Sequence, residues 1–198
     1  MHTEKANAQD SLGAAVLRGA PLTEQADAHG VFDAICFDKD GNVKWEERFN
    51  NVVCTEGKAI ALDAFLAGSG YNVVGPFMGL ISSVGWTAVA AGDTMAQLAG
   101  TNGWREAGSA SNFPLYTTPR KTCVWSAASG ASKALSAALS FPVITTGGTV
   151  KGAFIVFGTG AVSTIGDTNG KLWSAGTFSG DKVVSVGDTI QVSYTTSL

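Results

Sequence analysis

From residue 72 onwards, the chain consists of short runs of β-prone residues separated by Gly, Ser, Thr and Asn. Closely spaced short strands with turn residues between them are typical of β-sandwiches and barrels. A parallel α/β sheet would need a helix between successive strands, and no helical pattern separates these runs. The sequence therefore predicts an all-β fold, an antiparallel β-sandwich of the jelly-roll or immunoglobulin-like type. The predicted strands are residues 73–82, 118–127, 134–144, 149–157, 172–178 and 189–195.

Two of these runs predict different environments. Residues 153–158, AFIVFG, are apolar without alternation, which indicates a central strand buried on both faces. Residues 191–195, QVSYT, alternate, so Val192 and Tyr194 are expected on the opposite side from the three polar residues. The last strand is therefore expected to turn one face to solvent or to a partner.

A β-hairpin is predicted at the start of the folded region. The apolar runs VFDAICF, from Val31, and VKWEERF flank the turn residues 38–42, DKDGN. Asp-Gly between two such runs is a strong hairpin signal, because the turn needs a positive φ that Gly adopts at little cost.

One substantial helix is expected after the hairpin, over residues 56–67. Thr55 is a plausible N-cap, and Gly68 would end the helix. Three apolar residues at helical spacing are predicted to cover one side of the sheet, namely Leu62, Phe65 and Leu66.

Residues 1–30 are rich in Ala and polar residues and predict an extended N-terminal arm before a single domain of residues 31–198. A short helix is expected around residues 11–18, where Ser11 can cap an Ala-rich turn. An arm of this kind either packs on a neighbouring subunit or forms a disordered tail. The residues expected to make such a contact are Leu17, Pro21 and Leu22.

Charge and length exclude several classes of partner. The net charge is −3 and the pI is about 5.3, and the Lys and Arg residues form no cluster, so nucleic acid is not an expected partner. Only 15% of the 198 residues are charged, and residues 107–198 hold few of them, which suits burial in an assembly. No apolar stretch has the length of a membrane span, and the N-terminus lacks the pattern of a secretory signal.

Residues with catalytic or metal-binding chemistry are sparse. His2 and His29 lie in or just outside the predicted arm, so a Ser/His triad is not expected. Glu46 and Glu47 are neighbours on a predicted strand and therefore face opposite ways, unlike a glycosidase pair. The sequence predicts no enzymatic activity, no cofactor and no metal. The cysteines are widely spaced and are expected to be reduced, namely Cys36, Cys54 and Cys123.

The tripeptide Gly-Asp-Thr occurs three times, at residues 92–94, 166–168 and 187–189. The Asp carboxylate can accept a backbone N–H and close a turn, which is the favoured interpretation. A calcium loop is the alternative, with Asp167 and Asp181 as its candidate ligands. The Gly158-Thr159-Gly160 segment lacks the features of a phosphate-binding loop and predicts a turn between strands.

Aromatic residues in Gly-rich segments are candidates for surface contacts. Exposed aromatic rings stack on sugars or anchor protein interfaces, although such rings also fold back onto a sheet. Trp45 and Trp173 are expected in the core. The surface candidates are Trp86, Trp104, Trp125, Tyr71 and Tyr116.

Six segments between residues 31 and 198 follow one another in a recognisable order. They are DKDGNVKWEERFNNVVCTEGKAIALDAFLAG, FMGLISS, AVAAGDTMA, PRKTCVWSAASGASKALSAALSFPV, TVKGAFIV and GKLWSAGTFSGDKVVSVGDTIQVSYTTS. This series resembles a family of small virion structural proteins of tailed bacteriophages. Residues 1–30 have no counterpart in that family.

The resemblance implies a β-sandwich present in many copies on the virion, assembled in the host cytoplasm, as a capsid decoration or cement protein. A neck or tail component, such as an adaptor, a collar or a fibre-anchoring protein, is the alternative. The major capsid protein or other virion subunits would be the partners, and a homo-oligomer, a trimer by expectation, would form. Trp86 and Trp104 would make contacts beside those of the arm. A third hypothesis is a carbohydrate-binding module that uses these two tryptophans to attach to host glycans.

Overall fold

The computed structural model describes residues 28–66, 74–98, 103–109, 111–116 and 119–197. The helix predicted at residues 11–18 lies outside these residues. Within them, the chain forms ten strands, the α-helix α1 (Thr55–Leu66) and a short 3-10 helix (Met95–Leu98). The strands are β1 (His29–Phe37), β2 (Val43–Val53), β3 (Phe77–Ser82), β4 (Arg105–Glu106), β5 (Lys121–Thr122), β6 (Ser132–Ala134), β7 (Leu139–Pro142), β8 (Gly148–Phe157), β9 (Lys171–Val184) and β10 (Thr189–Ser197).

The strands pair antiparallel in the order β4-β3-β8-β9-β2-β1-β10-β6, with β5 beside β3 and β7 beside β10. The sheet folds into two layers at β2, which pairs with β1 along most of its length and with β9 over residues 51–53. Layer A comprises β1, β6, β7, β10 and the first part of β2. Layer B comprises β3, β4, β5, β8, β9 and the end of β2. This arrangement confirms the predicted antiparallel β-sandwich.

The larger hydrophobic core lies between the two layers. Phe49 of β2 joins them, because its ring stacks on Phe32 at 5.1 Å and meets Phe178 edge-on at 4.6 Å. Burial of each side chain of this size stabilises the fold by about 1.5–3 kcal/mol. Val192 and Tyr194 point into this core and Gln191 is exposed, so the alternation predicted for the last strand is confirmed.

Layer B is buried on its outer face as well. A second hydrophobic cluster there contains Ile81 of β3 and Phe154 and Val156 of β8. Trp104 packs on this cluster, with its ring 5.2 Å from that of Phe154. Residues 152–156 are all buried, which confirms the central strand predicted from the apolar run.

The hairpin between β1 and β2 forms as predicted. Gly41 has a φ of 85°, and the Asp38 carboxylate accepts the backbone N–H groups of Asp40 and Asn42 at 2.9 and 2.8 Å. Hydrogen bonds from the Asn42 side chain and backbone lower the pKa of Asp38. The turn is thus stabilised by contacts within five residues of sequence.

The helix α1 has the predicted position but a different orientation. Ile60 is buried, whereas Leu62 and Leu66 are 59% and 68% exposed, so the prediction that these two leucines cover the sheet is wrong. The Phe65 side chain lies outside the described residues. Gly57 explains the orientation, because its lack of a side chain lets the first turn of the helix lie directly on the backbone of β9. The Thr55 hydroxyl donates to the Ala91 carbonyl at 3.1 Å, and its predicted role as an N-cap acceptor stays a prediction.

Two predicted strands are interrupted. In the described part of residues 118–127, only β5 and a single bridge at Trp125 are formed, and residues 134–144 are divided between β6 and β7. Between β6 and β7, the backbone N–H of Ser136 donates to the Val124 carbonyl at 2.8 Å. Local backbone bonds between these two segments therefore replace continuous pairing with the sheet.

Candidate functional site

Trp86 and Trp104, the two tryptophans predicted as contacts, have different environments. Trp104 is 1% exposed, so the prediction that its ring lies on the surface is wrong. The reason is Asp93, whose carboxylate accepts the Trp104 indole N–H at 3.0 Å. Trp86 is half-buried, with the Lys151 ammonium 5.8 Å from its ring centre, and its contact role stays a prediction. The other predicted contacts lie outside the described residues, namely Leu17, Pro21 and Leu22.

The remaining aromatic candidates lie either inside the hydrophobic core or at its edge. Tyr116 is 1% exposed and its ring meets that of Phe141 edge-on at 5.4 Å in the inner core, so the prediction of a surface position is wrong for Tyr116. Tyr71 lies outside the described residues. Trp45, Trp125 and Trp173 are half-buried and pack against the edge of the inner core. The prediction of core positions for Trp45 and Trp173 therefore holds only in part.

Trp125 and Trp173 line a groove at the end of the sandwich opposite the β1–β2 hairpin. The groove has two connected parts, of about 190 and 320 Å³, that share Lys133, Trp173 and Thr196. Its walls come from α1, from the segment between β5 and β6, and from β6, β8, β9 and β10. We call it the aromatic groove, defined by Pro76, Trp125, Ala128, Ala131, Lys133 and Trp173.

A β-bulge and a glycine position Trp173. The register between β8 and β9 shifts at this residue, which leaves Trp173 as the extra residue of the bulge. A Cβ on Gly57 would lie 2.6 Å from the Trp173 carbonyl oxygen, so α1 packs on the bulge through a backbone without a side chain. The indole is fixed at its other side, where its N–H donates to the Tyr194 hydroxyl at 3.1 Å.

Tyr194 lies beneath both tryptophans of the groove. It is 1% exposed, and its ring lies 6.0 Å from that of Trp125, edge to face. Its hydroxyl also accepts a hydrogen bond from the Asn51 side chain at 2.8 Å. Burial raises the pKa of Tyr194, so the hydroxyl stays neutral and anchors Trp173 at any ordinary pH. Asn51, Trp125, Trp173 and Tyr194 lie far apart in the sequence, so no local motif predicts that they contact one another.

A buried ion pair joins Glu106 of β4 to Arg120. The guanidinium donates to both carboxylate oxygens, at 2.9 and 2.8 Å, and the two side chains are at most 1% exposed. The backbone N–H of Gly166 donates to the same carboxylate at 2.7 Å, while Arg120 also donates to the carbonyls of Val162 and Asp167. Burial raises the pKa of Glu106, against the effect of Arg120. The partners are all internal, so the pair holds the segment before β9 against layer B.

The Asp of each Gly-Asp-Thr tripeptide closes a turn, as predicted. Asp93, Asp167 and Asp188 accept backbone N–H groups at 2.9, 2.7 and 2.7 Å respectively. Among the described residues, no three His, Cys, Asp or Glu side chains are grouped as metal ligands would be.

The three cysteines are buried free thiols. Burial raises their pKa, to about 11 for Cys36 and about 12 for both Cys54 and Cys123. These thiols therefore carry little nucleophilic thiolate near neutral pH.

A second surface feature lies at the hairpin end of the sandwich, formed by residues 38–45 and 183–188. Val43, Val183 and Val186 are 56%, 61% and 53% exposed there. Two bonds bring the segments together. The Lys44 ammonium contacts the Asp188 carboxylate at 2.5 Å, and the indole of Trp45 donates to the carbonyl of Val183 at 3.3 Å. We call the three valines the valine patch.

Comparison of the chain with protein-family models, with curated proteins and with solved structures gives no match. In the parts of the chain that the structure describes, the helices are too short or too polar to cross a membrane.

Proposed function

We propose that the chain is a non-enzymatic structural protein of a tailed-bacteriophage particle, which decorates or cements the capsid through subunit contacts. The ordered segments between residues 31 and 198 and the low charge of the C-terminal half support this assignment. The valine patch is the structural observation that carries the contact role.

The valine patch has the composition of a protein interface. Its three side chains are each more than half exposed, and Val186 shares a surface depression with the charged side chains of Lys39, Asp40 and Lys44. An apolar centre with a polar rim is the usual anatomy of a protein contact. On a shell with many identical sites, a modest affinity at each site is sufficient, since a partner that binds only the assembled state stabilises it by mass action.

The test is addition of the purified protein to heads that lack it, followed by sedimentation and quantification of the bound fraction. We expect saturation at a fixed ratio to the major capsid protein. The double variant Val183→Ser/Val186→Ser should bind about tenfold more weakly, which corresponds to a loss of about 1.4 kcal/mol. Val124→Ser is the matched control, because Val124 is 62% exposed but lies near the other end of the sandwich.

Equal binding by the Val183→Ser/Val186→Ser and Val124→Ser variants would remove the valine patch from the contact. Binding only at a single vertex would contradict the decoration role and favour the neck or tail alternative. Copy number in purified virions makes the same distinction, since a symmetric neck or tail ring holds about six or twelve copies whereas a head lattice holds hundreds. Sedimentation equilibrium of the free protein tests the trimer that this proposal includes.

The glycan-binding alternative loses one of its two tryptophans, because Trp104 is buried. A Trp86→Ala variant that folds normally and loses binding to host surface glycan would support it. Sugar recognition also needs several directed hydrogen bonds. The aromatic groove offers mainly apolar side chains with Lys133, so it does not strengthen this alternative.

A further inference from the structure

We propose that the aromatic groove is the docking site of an apolar segment of the same chain, residues 12–22. This inference does not depend on the virion assignment. It gives Leu17 and Leu22, expected from the sequence to contact another subunit, a binding site within their own chain.

The segment has the composition of a buried peptide. Residues 12–22 read LGAAVLRGAPL and contain one charged residue, Arg18. Charged residues flank it, with Asp10 on one side and Glu24 and Asp27 on the other. An apolar stretch of this length between charged flanks gains free energy when its side chains leave water, at about 25 cal/mol for each Å² buried.

The path of the chain leads from this segment to the groove. β1 begins at His29, which pairs with Ser197, and Ser197 lines the groove. Gly30 packs against the ring and hydroxyl of Tyr194, so closely that any side chain there would overlap them. Tyr194 lies beneath Trp125 and Trp173 of the groove. The described chain therefore starts beside the groove.

The distance is within reach. Leu22 is six residues before Ala28, and an extended chain spans about 3.3 Å per residue, or about 20 Å in all. From β1, the near wall at β6 is two strand spacings away across β10, which is about 10 Å. Attachment to β1 also holds the segment at an effective concentration in the mM range, so a weak intrinsic affinity suffices for docking in the same chain.

The chemistry of the groove matches the segment. Aromatic and alanine side chains form its walls, and Lys133 is the one charged side chain among the described residues that line it. The acidic residues Glu24 and Asp27 follow the apolar segment directly and would pass the rim near this lysine. An apolar peptide with acidic residues at its C-terminal side is thus complementary to the groove in both polarity and charge.

The test uses nitrogen-15 NMR of the full chain, in which each tryptophan indole N–H gives a separate signal. Trp125→Phe and Trp173→Phe variants assign the two groove signals. The double variant Leu17→Ser/Leu22→Ser should shift both of them, because apolar contacts to the rings are lost. The indole signals of Trp45, at the hairpin end, and of the buried Trp104 should stay in place and report an intact fold.

A nitroxide spin label supplies the direct measurement. The label is attached to a Thr23→Cys variant, since the native thiols are buried and have raised pKa values. We expect it to broaden the groove signals and not that of Trp45. Mixing nitrogen-15 protein without the label and labelled protein at natural abundance should leave all signals sharp, as docking within one chain requires.

Four outcomes would overturn the proposal. The groove signals could stay unchanged in the Leu17→Ser/Leu22→Ser variant, or the spin label could leave them sharp. Broadening in the mixed sample would assign the groove to the segment of a second copy. The groove signals could also stay unchanged in the leucine variant but shift when a glucose or N-acetylglucosamine hexamer is added. That result would assign the groove to glycan binding.

Discussion

The outer faces of the two layers differ, and the lengths of the connections explain the difference. On layer A, Ile35 is half-buried and Gln191 is exposed, whereas on layer B, Ile81 and Phe154 are fully buried. Layer A strands are joined by short turns, such as residues 38–42, which have no spare chain to cover a sheet. Layer B strands are joined by longer segments, of which the described parts α1, residues 83–98 and residues 103–104 fold back over the outer face. A layer is therefore covered where its connections are long.

The cover on layer B brings polar groups into an apolar environment, and each must find a partner there. The Trp104 indole bonds to Asp93, and Arg120 bonds to Glu106. On layer A, the ion pair between Asp33 and Arg48 stays largely in water, with a separation of 3.7 Å. An Arg–carboxylate ion pair is therefore expected to affect the free energy of unfolding more on layer B than on layer A.

The largest effect is expected from breaking the buried ion pair. Arg120→Met leaves the Glu106 carboxylate buried without its main partner, which should lower the free energy of unfolding by about 3–5 kcal/mol. The matched change on layer A, Arg48→Met, should cost less than about 1 kcal/mol, because exposed pairs contribute little. Urea denaturation followed by circular dichroism measures both values.

A double variant serves as the control for the ion pair. Glu106→Gln/Arg120→Met removes the uncompensated charge and should recover part of the stability lost in Arg120→Met. If Arg120→Met and Arg48→Met lower the free energy of unfolding equally, burial of the Glu106–Arg120 pair does not increase its contribution to stability. The proposed energetic difference between ion pairs on the two layers would then be wrong.

This contrast also marks how far the sequence could predict the structure. The Asp-Gly turn, the alternation around Val192 and the apolar run at residues 153–158 depend on neighbours in sequence, and all were predicted correctly. The cover of layer B depends on distant residues. Trp104 is buried because its indole donates to Asp93 and its ring packs on Phe154. Leu62 is exposed because the helix packs on β9 through Gly57. No local pattern encodes these contacts.

The candidate site was predicted less completely than the fold, for the same reason. Trp125 was recognised as a surface candidate, but Trp173 was assigned to the core. The groove exists because a bulge in β9 turns Trp173 towards Tyr194, and the position of a bulge follows from strand register. The Glu106–Arg120 pair likewise joins two segments whose sequences carry no motif.

The next largest effect is expected from an Ile→Ala substitution on the outer face of layer B, compared with the same substitution on the outer face of layer A. Ile81→Ala should lower the free energy of unfolding by about 2–5 kcal/mol, because the cavity lies in a covered and packed cluster. Ile35→Ala should cost less than about 1 kcal/mol, since the outer face of layer A is half-exposed and solvent fills the space. Thermal or urea unfolding of the pair tests this directly. Equal losses would mean that a further part of the chain covers layer A.

Thiol labelling can show whether the cover of layer B opens separately from the inner core. Cys54 belongs to the outer cluster, and Cys36 and Cys123 belong to the inner core. At pH 8 with iodoacetamide, all three should react about 100-fold more slowly than in urea, because burial raises each pKa and blocks access. Mass spectrometry of labelled peptides gives the three rates. Faster labelling of Cys54 would show independent opening of the cover, whereas equal rates would show that both clusters open together.

The smallest effect is expected at the hairpin tip of layer A, where stabilisation is local and exposed. Hydrogen bonds from Asn42 hold the pKa of Asp38 below its ordinary value of 3.8. A carboxyl group with a lowered pKa in the folded state contributes stability above its unfolded pKa, and this contribution is lost as the pH falls through the folded pKa. Asn42→Ala should therefore raise the Asp38 pKa, as measured by carbon-13 NMR of the carboxyl group. The Trp104 indole signal, which reports on the cover of layer B, should have the same position in both proteins, because the described partners of Trp104 are Asp93 and Phe154, far from the hairpin turn in the sheet.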